Sequence, residues 1–300
     1  MLQLMNLPKI TDLEVSGKKV LVRGDFDVDD GDNPRANSIR NIVCYLKEKG
    51  AAKIKVIGHS ETDYNLALVL GKEFPNVEFD SSLRQNKGEK ENSLEFAQKL
   101  AQGWDIFVNE SFATSHRKHA SIVSLPKVVK VNGGKVCLGM RFVKELEMLS
   151  RVWDKAGRRV LVIGGVKIED KQKFAETMAA RFSDILKGGL LPSVELRSDG
   201  LDISDRTIKE YVGKIGKANV ILAAGVMGKY EDEKASKGTR LILEAIAANK
   251  KAYKVAGGGD IEMAISKYGL TDRFDWISVG GGAMLEFLAS GTLPGIKAII

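Results

Sequence analysis

With 300 residues and 44% hydrophobic content, the chain is long enough for one large or two ordinary packed domains, which excludes a disordered or low-complexity protein. Its net charge of +7 comes from scattered lysines and arginines with no dense run and no aromatic-interleaved stripe, so neither nucleic acid nor a membrane surface is expected as a partner. No apolar run is long enough to span a bilayer and no signal peptide is evident at the start, while Cys44 and Cys137 lie far apart, so a reducing, cytoplasmic setting is expected.

In chain order, short β-branched runs recur, most of them followed by a helical stretch. "KKVLVRGDF" (18–26) precedes a helix over 38–50, and "KIKVIGH" (53–59) precedes "NLALVLGKEF". "NVEF" (76–79), "SLEFAQKLAQG" (93–103) and "DIFVNESF" (105–112) continue the pattern. A long charged helix over 142–159 separates this series from a second one. The second series comprises "RRVLVIGG" (158–165), "SDILKGG" (183–189), "NVILAAG" (219–225), "YKVAGGG" and "DWISVGGG". Such alternation predicts an α/β chain: two doubly wound, Rossmann-like lobes with parallel sheets, joined by a helix. Near-continuous apolar strands are what a sheet covered on both faces requires.

Glycines cluster where these strands end. In doubly wound sheets ligands bind at the carboxyl ends of strands. A helix that starts after such a turn presents bare N–H groups and a partial positive charge, which suits phosphate. Packing alone could explain one glycine turn; three in one half of the chain favour a polyphosphate cradle. Lys167 and Lys171, four residues apart just after "IGG", would add two cations on one helix face. The first half carries a different set: Asp25 and Asp27 after one strand, Arg40 opening the next helix, His59 ending the next strand, Arg84 in "SLRQN", and His116, Arg117 and His119 in "TSHRKHAS". Converging at one sheet edge, the basic members would form a pocket for a small anion.

The stretches "KKVLVRGDFDV", "NESFATSHRKHAS", "VLVIGGVKIEDK", "GLDISDRTI", "ASKGT", "AGGGDIEMAISKYGL" and "WISVGGGAMLEFL" resemble phosphoglycerate kinase, in the right order and over nearly the whole chain. The resemblance implies two lobes with a cleft between them. Residues 1–142 would hold 3-phosphoglycerate or 1,3-bisphosphoglycerate, with the tail 289–300 returning to that lobe. Residues 143–157 would form the hinge, and 158–288 would hold ATP or ADP with Mg2+. The acid substrate would meet Arg40, His59, Arg84 and Arg117, with Asp25 and Asp27 alongside. The nucleotide side would be Gly165, Lys167, Lys171, Gly188, Gly189, Glu231, Gly257, Gly258, Gly259, Gly281 and Gly282, with Asp260 on the metal. Arg40 and Lys171 would act on the migrating phosphoryl group, and a monomer is expected.

The chain also departs from the pattern it resembles. After "GHS" a Leu-Gly-Arg-Pro turn is missing with its substrate-side arginine, and a long segment is missing after "GGLLPSVELRSDG". Asp27 stands for an asparagine, Ser38 for an arginine, Ala224 for an asparagine, Ile261 for a threonine and Met284 for a serine. These losses weigh on both lobes. The expected activity is a weakened phosphoglycerate kinase; the alternative is a non-catalytic relative that binds nucleotide or a sugar acid.

Overall fold

The structure, a computed structural model, describes residues 7–166 and 168–300. The chain forms two compact units. Among the described residues, the first comprises 7–147 and 290–300, the second 148–289.

The first unit is built on β1 (Lys19–Arg23), β2 (Lys53–Ile57), β3 (Glu78–Asp80), β4 (Ile106–Asn109) and β5 (Lys135–Leu138). They form one sheet in the order β3-β2-β1-β4-β5, and every pairing is parallel. Its helices are α1 (Pro34–Glu48), α2 (Leu66–Glu73), α3 (Lys87–Lys90), α4 (Leu94–Ala101) and α5 (Ser124–Val131). Val20, Leu21 and Val22 of β1 and Ile106, Phe107 and Val108 of β4 are buried, as strands covered on both faces must be. Sequence periodicity does not reveal the α5–β5 pair. Its strand is a four-residue edge strand that opens on a lysine, too short for a periodic signal.

Helix α6 (Met140–Asp154) carries the chain out of the first unit, whose boundary falls between Glu147 and Met148. The second sheet uses β6 (Arg159–Ile163), β7 (Asp184–Lys187), β8 (Val220–Ala224), β9 (Tyr253–Gly257) and β10 (Trp276–Ser278). The order is β10-β9-β8-β6-β7, again wholly parallel. Around it lie α7 (Ile168–Thr177), α8 (Asp205–Ile215), α9 (Lys237–Ala248), α10 (Gly259–Lys267) and α11 (Gly281–Ser290). Finally α12 (Pro294–Ile299) returns to the first unit, where Gly295 N donates to the Ser115 carbonyl at 2.9 Å.

Strand order reverses between β1 and β4 in the first sheet and between β6 and β8 in the second. Loops leaving the sheet diverge at such a point and open a crevice there. His59 and Arg84 in the first unit and Gly165, Gly189, Glu231 and Asp260 in the second are among the candidate residues near these crevices.

Candidate active site

In the first unit, β1 ends on Arg23, whose side chain is fully buried. A buried guanidinium is tolerable only if its donors are used. Nε donates to Ser121 Oγ at 3.0 Å, one terminal nitrogen lies 3.2 Å from His59 Nδ1, and the other donates to the Gly24 carbonyl. Ser121 passes the charge on to buried Glu89 through its hydroxyl (2.6 Å) and amide (2.9 Å).

Burial, then Arg23, pushes His59 down to about 2, with smaller contributions from His119, Arg84 and Arg117. His119 is held at about 4 by burial, then by Arg117, Arg23, Arg84 and His116. These mutual influences place Arg23, Arg84, Arg117 and the three histidines in one field. At neutral pH His59 and His119 are uncharged, so the positive charge in this cluster comes from its guanidinium groups. Arg84 is ion-paired with Glu61, in the turn after β2.

Asp25, nearly buried, lies 3.6 Å from Arg35 Nε, and its Oδ1 accepts the Asp27 amide at 3.3 Å. The Asp27 carboxylate accepts the Glu61 amide at 2.9 Å, and its carbonyl accepts from Arg35 at 2.8 Å. Asp27 thus ties two loops together.

The expected position of Arg40 is corrected. Its guanidinium is held by both oxygens of Glu73 at 2.7 Å and donates to the Gly31 carbonyl at 2.6 Å. The groups that act on it are Glu73, Tyr64 and Asp32, none from the cluster. The reason is helical phase. Asn33 caps α1, accepting the Arg35 amide at 3.0 Å, and Pro34 takes the first turn, so the helix starts four residues before the predicted one. Positions 35 and 40 then point about 140° apart. Ser38 lies on the inward face, where its hydroxyl donates to Glu110 at 2.7 Å.

Sequence reasoning missed Arg23, Arg35, Glu61 and Glu89. Arg23 had a signal, a charged residue closing an apolar strand, and Asn33-Pro34 marked the true helix start. Glu61 and Glu89 had none.

In the second unit, a cavity of about 400 Å³ opens at the switch point. Gly165, Gly189, Leu201, Val226, Lys229, Glu231 and Asp260 are among the residues lining it. Gly165 has φ +95° and Gly189 φ +61°. A Cβ on Gly189 would overlap the Gly165 amide nitrogen, so only bare backbone lets the two turns approach. A Cβ on Gly165 would lie 2.9 Å from Lys171 Nζ and 3.7 Å from Asp260 Oδ2, which puts a cation and a carboxylate at one turn. Lys171 also donates to the Gly164 carbonyl. Lys167 lies outside the described residues. Burial, then Glu231, then Asp260, raises the Tyr230 hydroxyl above its ordinary value, so both carboxylates lie near that ring.

The other glycines divide. A Cβ on Gly257 would meet Met284 Sδ at 2.6 Å, one on Gly281 would meet Gly258 Cα at 2.8 Å, and one on Gly188 would meet Met227 Cα at 2.7 Å. These positions serve close packing. Gly259 faces open space, and Gly282 lies in the first turn of α11. Ala224, Ile261 and Met284, where polar groups are missing from the resembled pattern, are all buried.

Asp260 suits magnesium. Mg2+ commonly takes one or two carboxylates and fills its remaining positions with phosphate oxygens and water. Asp260, in the first turn of α10, lines an open cavity together with Glu231 and lies beside a lysine, which meets that description.

The two crevices define an α/β protein with a guanidinium cluster at the switch point of one unit and a glycine-lined cavity at that of the other. The sequence profile of the family described as phosphoglycerate kinase matches residues 35–198 and 192–291, and the chain belongs to that family. The chain is similar to the phosphoglycerate kinase of Dictyoglomus turgidum (strain DSM 6724 / Z-1310), with 29% identity over 391 aligned positions that cover 97% of each chain. That alignment is longer than the 300 residues here, so the relative carries segments this chain lacks. Among solved structures, the chain is similar to phosphoglycerate kinase from Coxiella burnetii (TM-score 0.81, 23% identity) and from Pyrococcus horikoshii OT3 (TM-score 0.80, 25% identity). Each comparison covers 98% of both chains. The activity is therefore that of a kinase, a transferase of phosphoryl groups. Among the described residues no helix is long and apolar enough to cross a membrane.

Proposed function

We propose that this chain transfers a phosphoryl group between ATP and 3-phosphoglycerate, the glycolytic reaction, with the acid on the first unit and the nucleotide on the second. The observation that carries the assignment is a guanidinium cluster at one switch point and, at the other, a cavity lined by Gly165, Gly189 and Asp260 with Lys171 beside the Gly165 turn, in a chain of this family.

In the direction that consumes ATP, a carboxylate oxygen of 3-phosphoglycerate attacks the γ-phosphorus of ATP. A carboxylate–phosphorus bond forms, and the bond to the ADP oxygen breaks. The attacking carboxylate is ionised at neutral pH, so no general base is needed. Catalysis then rests on alignment and on neutralising charge at the moving group. Arg84 and Arg117, with Arg23 and Arg35 nearby, bind and orient the acid. Neutral His59 takes part as a hydrogen-bonding partner of Arg23. Lys171 meets the nucleotide phosphates, Gly165 and Gly189 let them approach the backbone, and Glu231 faces the ribose. Asp260 would hold Mg2+, which when bound neutralises charge on the β- and γ-phosphates.

A coupled assay with 3-phosphoglycerate and MgATP tests the assignment. Turnover is expected in the wild type and at least 100-fold less in Lys171→Ala; wild-type turnover no higher than the variant's would refute it. No observation favours the binding-only alternative.

A further inference from the structure

We propose that Glu61 is a built-in competitor for the acid substrate: it occupies the guanidinium of Arg84 and sets how tightly the first unit holds 3-phosphoglycerate. This rests on the assignment of that unit to the acid substrate.

Glu61 lies in the turn after β2, where the resemblance implied a lost arginine, and its carboxylate pairs with Arg84. Both partners are held in place by their backbones. The Glu61 amide donates to Asp27 Oδ1 at 2.9 Å, and the neighbouring Thr62 hydroxyl donates to the Val28 carbonyl at 2.6 Å. On the other side, the Leu83 amide donates to the Gly58 carbonyl at 3.1 Å, and Ser82 forms a β-bridge with His59. Turn and cation therefore face each other across a short, well-supported gap.

Arg84 belongs to the cluster, because it is among the charges that depress both His59 and His119. A substrate carboxylate or phosphate would compete for Arg84 with Glu61, whose carboxylate already takes one terminal nitrogen of the guanidinium. The pair can open, since its side chains are 28% and 45% exposed, and pairs in that setting are weak. The outcome is a pocket that still accepts the anion but with reduced affinity.

Calorimetric titration of 3-phosphoglycerate into the wild type, Glu61→Gln and Asp63→Asn tests this. Asp63 is an exposed acid in the same turn, and no ion pair involves it among the described residues. Glu61→Gln is expected to tighten binding ~2–5-fold, the range of an exposed ion pair, and Asp63→Asn to leave it unchanged. Equal affinity in Glu61→Gln and wild type overturns the proposal. So does equal tightening in Asp63→Asn, which would show only a diffuse charge effect, and so does a lack of binding in all three. Turnover is measured in parallel. Glu61→Gln tightening without turnover in any variant would refute phosphoryl transfer and leave the competitor role standing.

Discussion

Arg35 Nε lies 3.6 Å from Asp25 Oδ2, whereas Arg40, five residues further along α1, is clamped by both carboxylate oxygens of Glu73 at 2.7 Å. One helix thus carries two arginines with opposite fates. Arg35→Ala is expected to lower kcat/KM for 3-phosphoglycerate by about 100-fold or more, since it removes a cation from the crevice proposed to hold the acid. Arg40→Ala should change turnover less than about 3-fold and cost under ~1 kcal/mol of stability, the range of a partly exposed pair. Steady-state kinetics on the two variants decides; the reverse ranking would return Arg40 to the site.

Glu110 links α1 to the start of α6. It accepts from the Ser38 hydroxyl at 2.7 Å and from the Arg141 amide at 3.0 Å. Burial pushes its carboxyl up to about 7 despite these bonds. The folded value lies above the unfolded one, so the folded state holds the extra proton. Its stabilising contribution is complete below about pH 4.5 and is lost as pH rises to about 7. The change amounts to roughly 3 kcal/mol. Denaturant midpoints measured across that window should fall with pH in the wild type relative to Glu110→Gln. A constant difference between the two curves would contradict the assignment.

His59 and His119 shift the other way, to about 2 and about 4, through burial and neighbouring arginines. Folded values below the unfolded 6.5 mean that their contribution is present above pH 6.5 and lost as pH falls toward those values. Imidazole proton resonances of both residues should therefore stay unshifted from pH 8 to pH 5.5. A midpoint near 6.5 for either would show that it faces water.

Two glycines with left-handed φ angles separate conformational strain from collision. A Cβ at Gly200 (φ +70°) would meet nothing within 4 Å, whereas a Cβ at Gly189 (φ +61°) would strike the Gly165 backbone. Gly200→Ala should cost ~1–2 kcal/mol. Gly189→Ala should cost more than ~3 kcal/mol and weaken nucleotide binding. Thermal denaturation of both variants, with and without MgADP, measures the contrast.

The strand–helix alternation, the two series of parallel strands and the glycine turns were legible because each is a local pattern. Period-two and period-3.6 burial and φ freedom are written into neighbouring residues. Residues such as Arg84, Arg117 and Lys171 could be named because they sit near strand ends or beside glycine turns, and Asp260 through the resemblance. Other facts depend on which elements meet in space. A helix phase set by Asn33 and Pro34 turns Arg35 toward Asp25 and hands Arg40 to Glu73, 33 residues away. The Glu61–Arg84 pair, the burial of Arg23 against Ser121, and the packing of Met284 over Gly257 join residues that no local period connects. Sequence alone determined which elements form and which residue types stand at their ends. The tertiary structure decided which charges pair, because ion pairing and close contact depend on through-space distance, which separation along the chain does not encode.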